Sequence, residues 1–303
     1  MKQAYTESLH LSKANIERLN VINDIIEEYR QQGYKLTLRQ LYYQLVSRDI
    51  IANKVQEYAA LSGILVKGRM AGIVDWDAIE DRIRIPKIPY SADDIADALD
   101  DLIGQYRRDR MCNQEVYIEV WVEKDALSGV ISRITNKYHV RLMVNRGYSS
   151  ATAMHDAAMR ILHASACGQE AFILYLGDHD PSGMDMVRDI RDRLLEFGAD
   201  VTVKAIALTD EQIAKYNPPP NPAKIADPRA TTYIEKYGPT SWEVDALKPN
   251  VLNSLVESNI KMLIDIEKFN EMKTLESHDI RKLTAFKEKQ EQEENENEDN
   301  DDE

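Results

Sequence analysis

Residues 171–186 read AFILYLGDHDPSGMDM, and the fold turns on them. Ala171 to Leu176 form an apolar run of strand length, which Gly177 closes. After Asp178 and Asp180, the trio Pro181, Ser182 and Gly183 opens a helical pattern, with proline where a first helical turn tolerates it best. A strand that passes through a short acidic turn into a helix is half of a β–α–β unit. The texture extends on both sides. EVYIEVWV (115–122), VRLMVN (140–145) and VTVKAIAL (201–208) read as further strands. ALSGVISRITNKY (126–138), SATAMHDAAMRILHAS (150–165) and GMDMVRDIRDRLLEF (183–197) read as helices among them. Such alternation predicts an α/β domain over 114–215, a parallel sheet with helices on both faces.

Upstream the pattern is helical. Ile16, Leu19, Ile22, Ile25 and Ile26 recur at helical spacing, and Gly33 suits the end of that helix. Thr37 offers an N-cap for a second helix to about Asp49. A third is expected from about Val55 to Met70, and IVDWDAIEDRIR (73–84) predicts a small strand pair. Three helices and a strand pair make a mainly helical winged helix-turn-helix domain over 1–85 the expectation. Pro86, Pro89 and the acidic SADDIADALDDLIGQY (91–106) predict a connecting helix within 86–113. The proline-rich KYNPPPNPAK (215–224) leads into a helical extension over 216–286.

The formal net charge is −14, but QEQEENENEDNDDE (290–303) holds nine acidic side chains and no basic one, so about −5 belongs to the rest. That composition predicts a disordered tail over 287–303. With only Cys112 and Cys167, neither near a histidine at zinc-ligand spacing, a disulfide framework or structural zinc is not expected. No apolar run reaches membrane-helix length and the polar start has no apolar targeting core, so a cytoplasmic protein without a membrane partner is expected.

Functional side chains of an open parallel sheet gather where strands end and helices begin. The first predicted strand ends at Glu123; the third ends at Asp178 and Asp180, which lie two residues apart and so on one side of an extended backbone. Adjacent strands would bring Glu123 beside them. Three carboxylates in one place repel unless a cation neutralises them, and an all-oxygen set suits Mg2+ or Mn2+. Taken singly, each acid is as well explained as a solvated strand end or a helix cap. His179, between the aspartates, faces away and is expected to be structural. NRGYSSATAM (145–154) repeats the strand–turn–helix logic, with Gly147 at the turn and Ser149 or Ser150 as cap.

RQLYYQLVS (39–47) carries a second signal. Leu38, Leu41, Tyr42 and Leu45 form the buried stripe of the second helix, which places Tyr42 in the core. Tyr43 lies about 100° around the helix, with Arg39 one turn below it, so it is expected to reach solvent beside a guanidinium. A phenol needs help to lose its proton, and a neighbouring arginine favours phenolate and pairs with phosphate oxygen. The residues alone leave two roles open, a nucleophile or an amphipathic tyrosine at the helix rim.

VEKDAL (122–127) followed by GDHDPSGMD (177–185) resembles the Toprim metal-binding module, and within that superfamily the A subunit of DNA topoisomerase VI and its meiotic double-strand-break relatives. RQLYY (39–43) matches the arginine and tyrosine pair of that family's winged-helix domain, and the domain order agrees. The resemblance spans roughly residues 34–265 and includes WEVDAL (242–247), which is similar to an acidic segment after the family's Toprim core and so implies Glu243 and Asp245 near the metal, without a role for either. It implies that Glu123, Asp178 and Asp180 hold the metal, and that Tyr43, helped by Arg39, attacks duplex DNA to give a 5′-phosphotyrosyl link. It also implies a homodimer in which the tyrosine of one subunit works with the acids of the other, associated with the nucleoid.

Residues 34–70 carry six basic and two acidic side chains, so Lys67 and Arg69 are candidate phosphate contacts. The chain has no GxxxxGK[ST] loop, so strand passage of the type IIB topoisomerase kind would require a separate GHKL-type ATPase B subunit. Two rivals stand beside this reading: a Toprim nuclease that uses metal-activated water, and a non-catalytic DNA-binding or regulatory subunit.

Overall fold

A computed structural model describes residues 2–6, 11–80, 88–145, 147, 149–225 and 227–301, with 293–301 as backbone only. Four strands, β1 (Val116–Val122), β2 (Arg141–Val144), β3 (Glu170–Leu176) and β4 (Thr202–Ala207), form a parallel sheet in the order β2-β1-β3-β4. Each lies where the apolar runs predict, because parallel strands covered on both faces need nearly continuous hydrophobicity.

The two faces bury different partners. Ile118, Val120, Val122, Leu174 and Leu176 point to one side, where they meet Val130 and Ile131 of α5 (Ser128–Tyr138) and Leu252, Val256 and Ile260 of α10 (Pro249–Leu263). Trp121, Ile173 and Tyr175 point to the other, against Met154, Ala157 and Ile161 of α6 (Ala151–Ala166) and Met186, Ile190 and Leu194 of α7 (Pro181–Glu196). The period of two along each strand assigns these sides.

One position in β1 breaks the apolar rule. Glu119 is 0% exposed, and its carboxylate accepts from Arg160 (Nε 2.7 Å, Nη2 3.0 Å), the Trp121 indole (2.8 Å) and the Tyr117 hydroxyl (2.5 Å). A buried carboxylate persists only with its charge paired and its lone pairs filled, and here both conditions hold.

The N-terminal region is mainly helical. Helices α1 (Lys13–Gln31), α2 (Leu38–Ser47) and α3 (Val55–Met70) enclose their own core of Leu19, Ile22, Leu41, Leu45, Leu61 and Leu65. The expected strand pair is not formed among the described residues of 73–84: Asp75 caps a short 3-10 turn at Trp76–Ala78, and Leu36 makes a single bridge with Ile79. Asp75 accepts from the Asp77 amide, a local bond that favours a turn over an extended ladder. Residues 81–84 of that expected pair lie outside the described residues. The connecting helix is present as α4 (Ile95–Gln105).

Beyond β4 come α8 (Asp210–Tyr216), strand β5 (Pro220–Pro222), α9 (Ala230–Tyr237) and strand β6 (Thr240–Trp242). Strands β5 and β6 pair antiparallel as a ribbon that the proline content did not foretell. Helix α11 (Ile266–Asp301) continues through most of the segment expected to be disordered. No proline or glycine interrupts it, and its Glu, Gln and Lys are good helix formers. Among the described residues no helix is long and apolar enough to cross a membrane.

Arg160→Met is expected to lower folding stability by about 2–3 kcal/mol, since it strands the Glu119 carboxylate while removing a cation that is itself partly exposed. Glu119→Leu combined with Arg160→Met should cost less than the single change. Urea titration of both variants checks the order; equal losses would mean that the pair contributes only packing.

Candidate functional site

The site lies where the C-terminal edge of the sheet meets α2. Glu123 follows β1 directly, and its Oε2 accepts from the Asp178 amide at 3.0 Å, so adjacent strands do bring these acids together. Asp178 leaves β3 one residue after Gly177. Asp180 is the N-cap of α7: its Oδ1 accepts from the Ser182 amide (3.0 Å), the Ser182 hydroxyl (2.8 Å) and the Gly183 amide (2.7 Å). Gly183 is required here, because a Cβ at that position would run into the Asp178 carbonyl oxygen. The DHDPSG turn is therefore held by a proline in the first turn, a capping acid and a glycine with no room to grow.

Charge is balanced by a residue the motif reading passed over. The Lys124 ammonium donates to Asp178 (Oδ1 2.9 Å, Oδ2 2.7 Å) and to Glu243, and lies 3.8 Å from Asp245 Oδ1. Glu243 and Asp245 arrive from a distant stretch of sequence. Backbone bonds between His179 and Trp242, in both directions, tie β6 to the acidic turn and deliver the residues that follow it. The Val244 amide then donates to Asp178 Oδ1 at 2.9 Å. Burial first, then repulsion from Glu123, Glu243 and Asp245, raises the Asp178 carboxyl pKa against the pull of Lys124. Lys124 is held well above the ordinary ammonium range by Asp245, Asp178 and Glu243, which outweigh the largest single influence, burial.

Arg39 enters from the helical side. Its Nε donates to Asp245 Oδ2 and its Nη2 to Glu243 Oε2, each at 2.5 Å, and Nη2 lies 3.5 Å from the Tyr43 hydroxyl. Arg39 and Tyr43 thus do share a flank of α2. That flank is not open to solvent: Tyr43 is 5% exposed, and Gln40 through Val46 are all buried. The segment Val244–Ala246 covers the side that periodicity left free, contributing Ala246 to the helical core. Burial, followed by the charges of Asp245 and Glu243, holds the Tyr43 phenol above its ordinary pKa despite Arg39. The expected phenolate is not favoured in this state: burial opposes it most, and the pull of Arg39 does not offset the two carboxylates that it pairs with. Tyr42 donates to Asn53 Oδ1 at 2.9 Å and packs edge-on against Tyr58, in the core role its spacing predicts.

A cavity of about 410 Å3 joins these elements, lined on one wall by Arg39, Tyr43 and Tyr58 and on the other by Asp178, Asp180 and Trp242. The tyrosine and the sheet-edge acids therefore meet within one chain, whereas the resemblance placed them on different subunits. Of the two candidate phosphate contacts, Lys67 is exposed on α3. Arg69 instead donates to the Ile79 carbonyl at 2.8 Å and stacks over Trp76, which fastens the turn after α3. His179 is buried among Tyr233, Tyr237 and Trp242, with Nδ1 2.8 Å from the Tyr233 hydroxyl, a structural post as expected. Ser150 caps α6 through the Ala153 amide.

The donor chemistry at Glu123, Asp178 and Asp180 suits a hard divalent ion, but their arrangement does not. Both Asp178 oxygens face Lys124, Asp180 Oδ1 is spent on the helix cap, and among the described residues no three His, Cys, Asp or Glu side chains form a cation cage. Lys124 takes the neutralising place that the sequence assigned to a metal. Comparison of the chain with family models, with curated proteins and with solved structures finds no match.

Lys124→Met should destabilise the fold by about 3 kcal/mol, because it leaves Asp178, Glu243 and Asp245 sharing the single cation Arg39. Millimolar Mg2+ should then raise the thermal midpoint of the variant more than that of the unaltered protein. A variant that ignores Mg2+ would show that these acids do not accept a divalent ion even with the amine removed.

Proposed function

We propose that this chain is a DNA-cleaving transesterase of the topoisomerase VI A-subunit kind, with Tyr43 as its nucleophile. The observation that carries the reading is the shared cavity: a phenol on a helix of one domain opens onto the acidic strand ends of a parallel α/β sheet. That sheet, with Glu123 after β1 and Asp178 and Asp180 after β3, is compatible with a Toprim module.

In this reaction the Tyr43 oxygen attacks phosphorus, the bond from phosphorus to the 3′ oxygen breaks, and a 5′-phosphotyrosyl link replaces it. The phenolic proton must leave. Asp245 is suited to take it: the carboxylate is buried, its Oδ1 has no hydrogen-bond donor, and its charge acts on the phenol. Arg39 and Lys124 are the cationic donors for phosphate oxygens and for the departing 3′ oxygen. An incoming phosphate competes with Glu243 and Asp245 for Arg39, which frees carboxylate as it binds. Mg2+ or Mn2+ belongs to the proposal through the same acids, and its entry requires Lys124 to yield Asp178. Duplex DNA as substrate, a homodimer that cuts two strands, an ATPase B partner and a place at the nucleoid belong to the same proposal.

The burial and raised pKa of Tyr43 favour a second reading, hydrolysis by activated water at the same acids. Denaturant quenching of a reaction with end-labelled DNA separates the two. Protein joined to a 5′ end, lost in Tyr43→Phe and reduced by about two to three orders of magnitude in Arg39→Ala, is the expected result. Free 5′ ends made equally well by Tyr43→Phe would replace transesterification with hydrolysis.

A further inference from the structure

Tyr43 is only 5% exposed, and the way to it is the cavity between the helical domain and the β5–β6 ribbon. A solvent-open cleft of about 410 Å3 is of the size that holds a small ligand such as a single nucleotide. Its walls are built of groups that recognise nucleotides. Tyr58 contributes an aromatic surface from the helical side and Trp242 one from the ribbon side. The Asn53 amide reaches across to Asn221 Oδ1 at 2.6 Å, so carboxamides of both walls meet in the cleft. Lys54 and Lys224, both exposed, supply positive charge on either wall, Lys224 lying 3.5 Å from Asp180. Aromatic faces take any base by stacking and lysines hold the backbone, while the Asn53–Asn221 bond ties the two walls together.

We propose that this cavity binds one unpaired nucleotide, its base against Tyr58 and Trp242 and its phosphates toward Lys54 and Lys224. Within duplex DNA the chain then prefers a place where pairing is locally lost, such as a bulge, to a fully paired stretch. The inference rests on the reading of DNA as the substrate. Extruding a nucleotide into a snug pocket costs least where pairing is already lost, which gives the site its selectivity.

Binding tests it apart from cleavage. The full chain carrying Tyr43→Phe is titrated, at one salt concentration, with three fluorescein-labelled DNAs: a single strand, a duplex with a two-nucleotide bulge and the matching intact duplex. The single strand and the bulged duplex are expected to bind at least tenfold more tightly than the intact duplex. Trp242→Ala and Tyr58→Ala should each weaken the bulged complex roughly tenfold while leaving the intact duplex unchanged. Lys54→Gln combined with Lys224→Gln removes two exposed charges without adding a carboxylate beside Asp180, and with an unchanged thermal midpoint its weaker binding to the bulged duplex reads the site. 2-Aminopurine in the bulge should lose fluorescence on binding through aromatic stacking. Equal affinity for all three DNAs, or aromatic variants that bind the bulge normally, overturns the proposal. If tyrosyl adducts form equally on intact duplex and bulge, the transesterase reading stands and the unpaired-nucleotide site falls. If the bulge preference holds but the unaltered chain, with Tyr43 in place, forms no adduct on any of the three DNAs, the site stands and the transesterase reading falls.

Discussion

Arg39 between Glu243 and Asp245 is the constraint on which the candidate site depends. A guanidinium from residue 39 holds two carboxylates some two hundred positions later, and by doing so closes the helical domain onto the end of the sheet. Its planar fork suits this task, because two donors leave it in fixed directions toward two acceptors. Lys124 extends the contact to Asp178, so one run of ion pairs reaches from α2 to the end of β3. In that run Asp178, Glu243 and Asp245 share Arg39 and Lys124, with Glu123 adding its repulsion at Asp178. Burial raises the Asp178 pKa most, and the excess of negative charge around it adds to the effect against the pull of Lys124.

The acidic turn shows how a single stretch of sequence serves two ends. Gly183 and the Oδ1 of Asp180 are explained by close packing and helix capping. Asp178 is different: it follows the strand, it is buried, and its partners come from β1 and from beyond β6 rather than from its own turn. The motif therefore divides into a structural half that aims the loop and a chemical half that the rest of the chain converges upon.

Much of the sheet was legible because it is written locally. Apolar runs marked all four strands, and Ser150 and Asp180 cap the helices where the turns placed them. Adjacency of β1 and β3 brought Glu123 beside Asp178 as the topology required. What was not legible came from distance. Periodicity assigned α2 one buried face, yet Val244–Ala246 covers another, so Tyr43 is enclosed where solvent was expected. Lys124 carried no signal of its own beside Glu123, since its importance arises only when Glu243 and Asp245 arrive. The backbone bonds between His179 and Trp242 that deliver them leave no trace in spacing. The strand pair expected after α3 failed for a local reason, the capping of a turn by Asp75.

An enclosed phenol with a raised pKa is a poor nucleophile as it stands, and the ion pairs explain why this need not count against its role. Arg39 and Lys124, the two cations beside Tyr43 and the acidic turn, are already occupied by carboxylate. A phosphodiester entering the cavity offers Arg39 a bidentate partner of the same geometry as a carboxylate. Exchange of one anion for the other keeps the guanidinium paired while it releases Asp245 and Glu243. The acid that suppresses the phenol in the closed chain thereby becomes the acceptor for its proton, so on the proposed reading substrate binding and nucleophile activation are one electrostatic event.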